Sequence, residues 1–186
     1  MKQWVALCCI ILSLAGCSMQ DGNMDTALQL RKQLLQCEGC EFQAEITADY
    51  GNQIYRFVLD CRADKQGNMY FTVIEPQSIC GITGEILESQ GRLTFEHTAL
   101  GFPLIAEGML SPVCAPWIFL KSLRSGYLAS CADTESGLRL TLQDSYAENA
   151  LQVDVWTDRE GSPSFAELLW KGQRILSLKI DNFAIL

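Results

Sequence analysis

Nine cysteines stand out as the residues of this sequence with the most chemical potential. Cys37-Glu38-Gly39-Cys40 is a C-x-x-C, the spacing of zinc half-sites and of thiol–disulfide pairs. The zinc reading lacks a second C-x-x-C, and His97 is the only histidine. The redox reading lacks the strand-then-helix setting, because here a helical pattern precedes the motif and a strand pattern follows it. No metal and no cofactor is expected. Cys61, Cys80 and Cys131 sit among apolar, strand-like residues and are expected to be small buried side chains. Asp60 with Asp64, or Glu85 with Glu88, are the carboxylate pairs a hydrolase would need. They flank turns and strand ends, where solvated carboxylates are the norm. With no G-x-S-x-G, no H-E-x-x-H and no phosphate loop, the residues do not describe an enzyme.

The N-terminus carries a different chemistry. Met1-Lys2 is a short cationic start, Trp4 to Leu12 an apolar run too short to span a bilayer, and Leu14-Ala15-Gly16 small residues before Cys17. Leu-Ala-Gly-Cys resembles the lipobox of bacterial lipoprotein signal peptides. The resemblance implies that Cys17 receives a diacylglyceryl group on its thiol and becomes the mature N-terminus. Residues 1–16 are then signal peptide, 17–23 a polar tether and 24–186 one domain, lipid-anchored at the extracytoplasmic face of the cell membrane. Each buried CH2 of such an anchor contributes about 0.8 kcal/mol. Cys37, Cys40, Cys61, Cys80, Cys114 and Cys131 remain in the exported part, where disulfides are permitted and their connectivity is open.

Composition agrees with an anchored globular domain. The chain is 48% hydrophobic and 19% charged, with a formal net charge of -8. That charge, with no Lys/Arg cluster, excludes nucleic acid as a partner and gives little attraction to an anionic membrane surface. The membrane is reached through the lipid.

Hydrophobic periodicity supplies the elements. Met24 to Gln36 places Leu28, Leu30, Leu34 and Leu35 near helical spacing. From Ala44 the period is two, with strands at Ala44 to Ala48, Ile54 to Cys61, Met69 to Ile74, Ile79 to Leu87 and Arg92 to His97, joined by short polar turns. Leu100 to Leu110 is apolar without alternation. Ser111-Pro112 breaks it, and Ala115-Pro116-Trp117 opens a helix to about Arg124. Strand patterns resume at Tyr127 to Cys131, Leu138 to Leu142, Leu151 to Trp156, Phe165 to Trp170 and Ile175 to Ile180. Nine or ten strands with two helical interruptions predict a mainly β fold, a strongly curved antiparallel sheet or open half-barrel covered by helices.

These features together are similar to the LolA/LolB lipoprotein-carrier superfamily. The closing stretch carries most of the likeness: Val153-Asp154-Val155-Trp156, Pro163, Ala166-Glu167-Leu168, the Lys171-Gly172 turn and Leu178-Lys179-Ile180-Asp181-Asn182-Phe183. Glu75-Pro76 then Ile82, and Ser111-Pro112 then Pro116-Trp117, look most like GerS-type germination lipoproteins. That resemblance implies a non-enzymatic partner protein supporting a cell-wall amidase in the spore cortex. The carrier branch implies instead a ligand of acyl chains or lipoproteins. The extra cysteines belong to neither pattern.

The candidate face is apolar. Phe102, Leu104, Met109, Trp117 and Phe119 lie in the irregular middle segment, which covers the sheet if the superfamily fold holds. Three readings differ in what that segment encloses: a filled hollow with a protein-sized interface, an open apolar cavity for acyl chains, or a cleft of converging titratable groups. The anchor can be tested directly. Cys17→Ala is expected to release the protein from the membrane, and intact-mass analysis of the mature wild type to show a lipidated Cys17. An unmodified N-terminus contradicts the lipobox.

Overall fold

Between Cys40 and Ala48 every second side chain is buried, while Glu41, Glu45 and Asp49 are exposed. This period-two pattern makes Gly39–Asp49 (β1) a strand with one face in the core and one in water. The same alternation generates the rest of a computed structural model that describes residues 18–186, apart from positions 52, 89, 96–97, 103–104, 107–108 and 148–149; the side chains of 18–21, 105–106 and 109 are also outside the description. The signal segment, Cys17, His97 and Leu104 therefore lie outside the described residues.

After helix α1 (Ser18–Gln36) come β1, β2 (Ile54–Asp64), β3 (Met69–Glu75), β4 (Thr83–Leu87), β5 (Gln90–Phe95), β6 (Thr98–Phe102) and the two-residue strands β7 (Ile105–Ala106) and β8 (Met109–Leu110). Helix α2 (Ala115–Ser125) precedes β9 (Tyr127–Thr134), β10 (Gly137–Gln143), β11 (Gln152–Thr157), β12 (Pro163–Trp170) and β13 (Gln173–Ile185). Eleven strands form one antiparallel, unclosed sheet in the order β6-β5-β4-β3-β2-β1-β13-β12-β11-β10-β9, and β7–β8 is a separate ladder. All neighbours in the large sheet are consecutive strands except β1 and β13, which pair Cys40 with Ile185. This is the mainly β, curved half-barrel that the periodicity predicts.

Several boundaries differ from the expectation. The first helix begins at Ser18, not Met24, and buries Ala27, Leu30 and Leu34 while leaving Leu28 and Leu35 half exposed. The Glu75–Pro76 bond is cis, and residues Gln77–Ile79 form a single 3-10 turn where the start of a strand was expected. Strand β4 accordingly starts at Thr83 rather than Ile79. Residues 100–102, expected to be irregular, belong to the edge strand β6 (Thr98–Phe102). An edge strand is solvated on one side and need not alternate cleanly, which is why its pattern was silent.

Helices α1 and α2 are fastened by arginines. Arg31 of α1 donates from Nε to the Leu123 carbonyl (2.8 Å) and from an Nη to the Gly126 carbonyl (2.7 Å), satisfying acceptors that the end of α2 leaves open. Arg124 donates in turn to the carbonyls of Asp64 and Lys65 in the β2–β3 turn. Charge-assisted bonds of this kind contribute about 1.5–3 kcal/mol. Arg31→Met is expected to lower stability by about that amount, read from urea unfolding. An unchanged midpoint would show that the two helices hold together without it.

Candidate functional site

The concave side of the sheet is built from small and branched residues that leave room for a helix. Ala44, Ile46 and Ala48 of β1, Leu176 and Leu178 of β13, Ala166 and Leu168 of β12 and Val153 and Val155 of β11 are all buried there. Against them lies α2, whose start is preset by Pro116 and whose end is stopped at Gly126. Phe119 is 0% exposed and meets Phe42 edge-on at 5.7 Å and Phe183 at 6.4 Å. Phe183 reaches the core through a bulge. β13 sets Asn182 and Phe183 against Phe42 alone, and Asn182 takes a left-handed φ of 57°.

The three apolar candidates whose side chains are described, Phe102, Trp117 and Phe119, do not share one face. Phe119 is core. Trp117 is 8% exposed, with the Lys121 ammonium 4.7 Å from its ring centroid, and borders a cleft of about 460 Å³ shared with Gln66, Asn68, Glu88 and Arg124. Phe102 is half-buried on β6, its ring lying over Gly91, where a Cβ would collide with it. Leu104 is outside the description, and Met109 is placed only by its backbone in β8. The neighbouring Leu110 carbonyl accepts from the Tyr50 hydroxyl at 2.8 Å, which ties this segment across the β1–β2 end of the sheet.

Burial is continuous on the concave side from β10 to β4, where Ile86 is still fully covered, and fails at β5 and β6. There Phe95 and Leu100, which the register turns to the same side as Gly91 and Phe102, are 49% and 66% exposed.

The six described cysteines are free thiols. Cys61 is buried as expected, Cys131 is half-buried, and Cys80 is exposed, contrary to expectation, because it follows the 3-10 turn instead of lying in a strand. Burial pushes the Cys40 and Cys114 thiols up to about 12 and raises Cys61 further, which disfavours the thiolate needed by metals and by redox chemistry. Among the described residues no group of three Cys, His, Asp or Glu is placed to hold a metal ion.

Nor do the carboxylate pairs converge. Asp60 accepts from Gln43 at 3.0 Å, whereas Asp64 folds back on the backbone and side-chain amides of Asn68. Glu85 pairs with Arg92 at 3.3 Å and Glu88 sits in the following turn. The carboxylate that sequence reasoning missed is Asp154, 0% exposed on the outer face and held by Arg139 at 2.5 Å and Gln152 at 3.0 Å. Its one signal was an acid between Val153 and Val155. A second cleft, of about 710 Å³, also lies on the outer face, across β1 to β6.

A curved open sheet plugged by a helix on its concave side is a half-barrel fold. Solved structures similar to this chain include an uncharacterized conserved protein from Thermus thermophilus, with 14% identity, a TM-score of 0.47 and coverage of 88% of this chain and 87% of that one. A LolA superfamily protein from Nitrosomonas europaea matches at 11% identity and a TM-score of 0.44 over 86% and 93%. A chain in the structure of the CwlD amidase from Clostridioides difficile in complex with the GerS lipoprotein matches at 15% identity and a TM-score of 0.46 over 88% and 95%. No protein-family model and no curated protein matches the sequence.

The buried thiols make stability depend on alkaline pH. A thiol whose folded pKa lies above its unfolded value holds its proton in the folded state. Its contribution is complete below the unfolded pKa and is lost as pH rises through the folded one. For Cys40 that window runs from 9.0 to about 12. The melting temperature is expected to fall across this window, and less steeply in Cys40→Ala. Parallel profiles for the two proteins would exclude Cys40 as a source.

Proposed function

We propose that this chain is a non-enzymatic lipoprotein, anchored through Cys17 outside the cytoplasmic membrane, that works by binding a protein partner. The observation carrying this reading is that, among the described residues, the concave side is filled from β10 to β4. A carrier of acyl chains needs an apolar volume open between sheet and helix, whereas here α2 occupies it with Phe119, Leu120 and Leu123, all buried. The partner class is the one implied by the sequence resemblance, a cell-wall amidase. The rim beside Trp117 is its proposed contact, because the indole and the Lys121 and Arg124 cations combine an aromatic anchor with charge at one cleft. The absence of converging acid–base pairs among the described residues supports binding over catalysis.

Phe95 and Leu100 favour a second reading. Apolar side chains turned inward and left exposed at β5 and β6 offer a foothold for an acyl chain.

The two are separated by one set of titrations. Purified protein is expected to form a 1:1 complex with a cell-wall amidase of the same cell, measured by calorimetry and size exclusion. Lys121→Glu, at an exposed position, should weaken that complex while leaving the melting temperature unchanged. Saturable 1:1 binding of a fluorescent fatty acid, without an amidase complex, would overturn the partner reading in favour of the carrier.

A further inference from the structure

The cleft of about 710 Å³ is on the face of the sheet opposite α2, and its floor is ordered by strand register. One row of directly opposed residues runs Glu41–Arg62–Tyr70–Glu85–Arg92 across β1 to β5. The next row on the same face runs Gln43–Asp60–Thr72–Thr83–Thr94 across the same strands. At a strand spacing of about 4.8 Å, the two rows make a track about 20 Å long and about 7 Å across. One row alternates charge around a central tyrosine, and the other is rich in hydroxyls. On β6 both rows finish in small residues, Gly101 and Ala99, whereas on β13 the first ends in Ala184 and the second in Asp181, so the track is open at its β6 end.

The side chains hold one another in place. Glu41 meets Arg62 at 3.5 Å, Glu85 meets Arg92 at 3.3 Å and Gln43 donates to Asp60 at 3.0 Å. Tyr70, 39% exposed, stands between Arg62 and Glu85. The β13 bulge that sends Phe183 into the core leaves Asn182 at the margin of the cleft.

We propose that this track binds a linear, uncharged glycan strand lying across β1 to β6. A pyranose has a face of C–H groups and a rim of hydroxyls. The first suits the electron-rich face of Tyr70, and the second suits planar carboxylate, amide and guanidinium groups that accept and donate in pairs. The chemistry of the floor rejects the other ligand classes. An acyl chain would lie against the charged groups of Glu41, Asp60, Arg62, Glu85 and Arg92 and strip their water, and polyanions meet three of those carboxylates against two guanidiniums in a chain of net charge -8. An extended peptide docks by adding along a free strand edge, which here is the outer side of β6, whereas the track crosses β1 to β5, whose amides are already paired on both sides. This site is separate from the Trp117 rim and stands or falls without the partner reading.

The test is titration of the protein, purified as the cell produces it, with a β-1,4-linked N-acetylglucosamine pentamer and with cellopentaose, followed by calorimetry and amide NMR. Saturable binding of at least one oligomer is expected, with shifts confined to β1 to β6. Tyr70→Ala should weaken it about tenfold, the scale of one stacking contact, while Tyr70→Phe stays close to wild type. Thr83→Arg, which fills the floor from an exposed position, should block binding with the fold intact by circular dichroism. Failure of both oligomers to bind, affinity indifferent to Tyr70→Ala and Thr83→Arg, or tighter binding of a heparin fragment would each overturn the proposal.

Discussion

The whole molecule depends on covering one face of an unclosed sheet. Eleven antiparallel strands present a continuous apolar surface on their concave side, and a sheet that does not close into a barrel cannot bury that surface against itself. Helix α2 supplies the cover. Its Phe119 enters between Phe42 on β1 and Phe183 on β13, the two strands that join the chain's beginning to its end. Among the described residues, the plug thus sits at the one pairing of the large sheet that joins strands distant in sequence, where a lost contact would separate the two meanders.

That cover dictates how the two helices are held. Helix α2 is eleven residues long and would be marginal alone, so its free carbonyls are taken by Arg31 while Arg124 reaches the β2–β3 turn. Small residues make the approach possible: Ala44 and Ala48 lie under the incoming segment, and Cys114 and Ala115 enter it fully buried. The thiols follow the same logic, since Cys40, Cys61 and Cys114 fill small spaces in the core and burial keeps them protonated.

With the apolar side filled, polar chemistry is left to the outer face. It divides into two regions. On β10 to β12, Asp154 is sunk beneath Arg139, whose guanidinium also lies 5.1 Å from the Trp156 ring centroid, so the charge is internally satisfied. Removing one member of such a pair is costlier than replacing both, because an unpaired buried carboxylate remains. On β1 to β6 the polar groups are instead spread in rows above a cleft, paired with each other but still open to solvent. One half of the face is closed by its own ion pair, and the other half stays open to solvent.

Most of the architecture was legible in the chain because it is encoded locally. Period-two alternation at Ala44-Ile46-Ala48 and the Pro116 start of α2 each depend on neighbours a few residues away. The misses share a different cause. Thr98–Phe102 is an edge strand with weak alternation, Cys80 left the core because a 3-10 turn replaced the start of β4, and Leu28 was exchanged for Ala27 on the buried side of α1. Each of these was settled by what packs opposite. The same holds for the candidate sites. Sequence could single out Trp117 and Phe119 as one apolar cluster, but only packing against Phe42 and Phe183 made Phe119 core and left Trp117 beside a cleft. The outer track was invisible, because Glu41, Arg62, Tyr70, Glu85 and Arg92 are scattered along the chain and become a row only through pairing register. Sequence by itself determined the strands and the helical plug, whose signals are periodic and local; tertiary structure decided which side chains stand together, because register and burial are set by contacts between residues far apart in the chain.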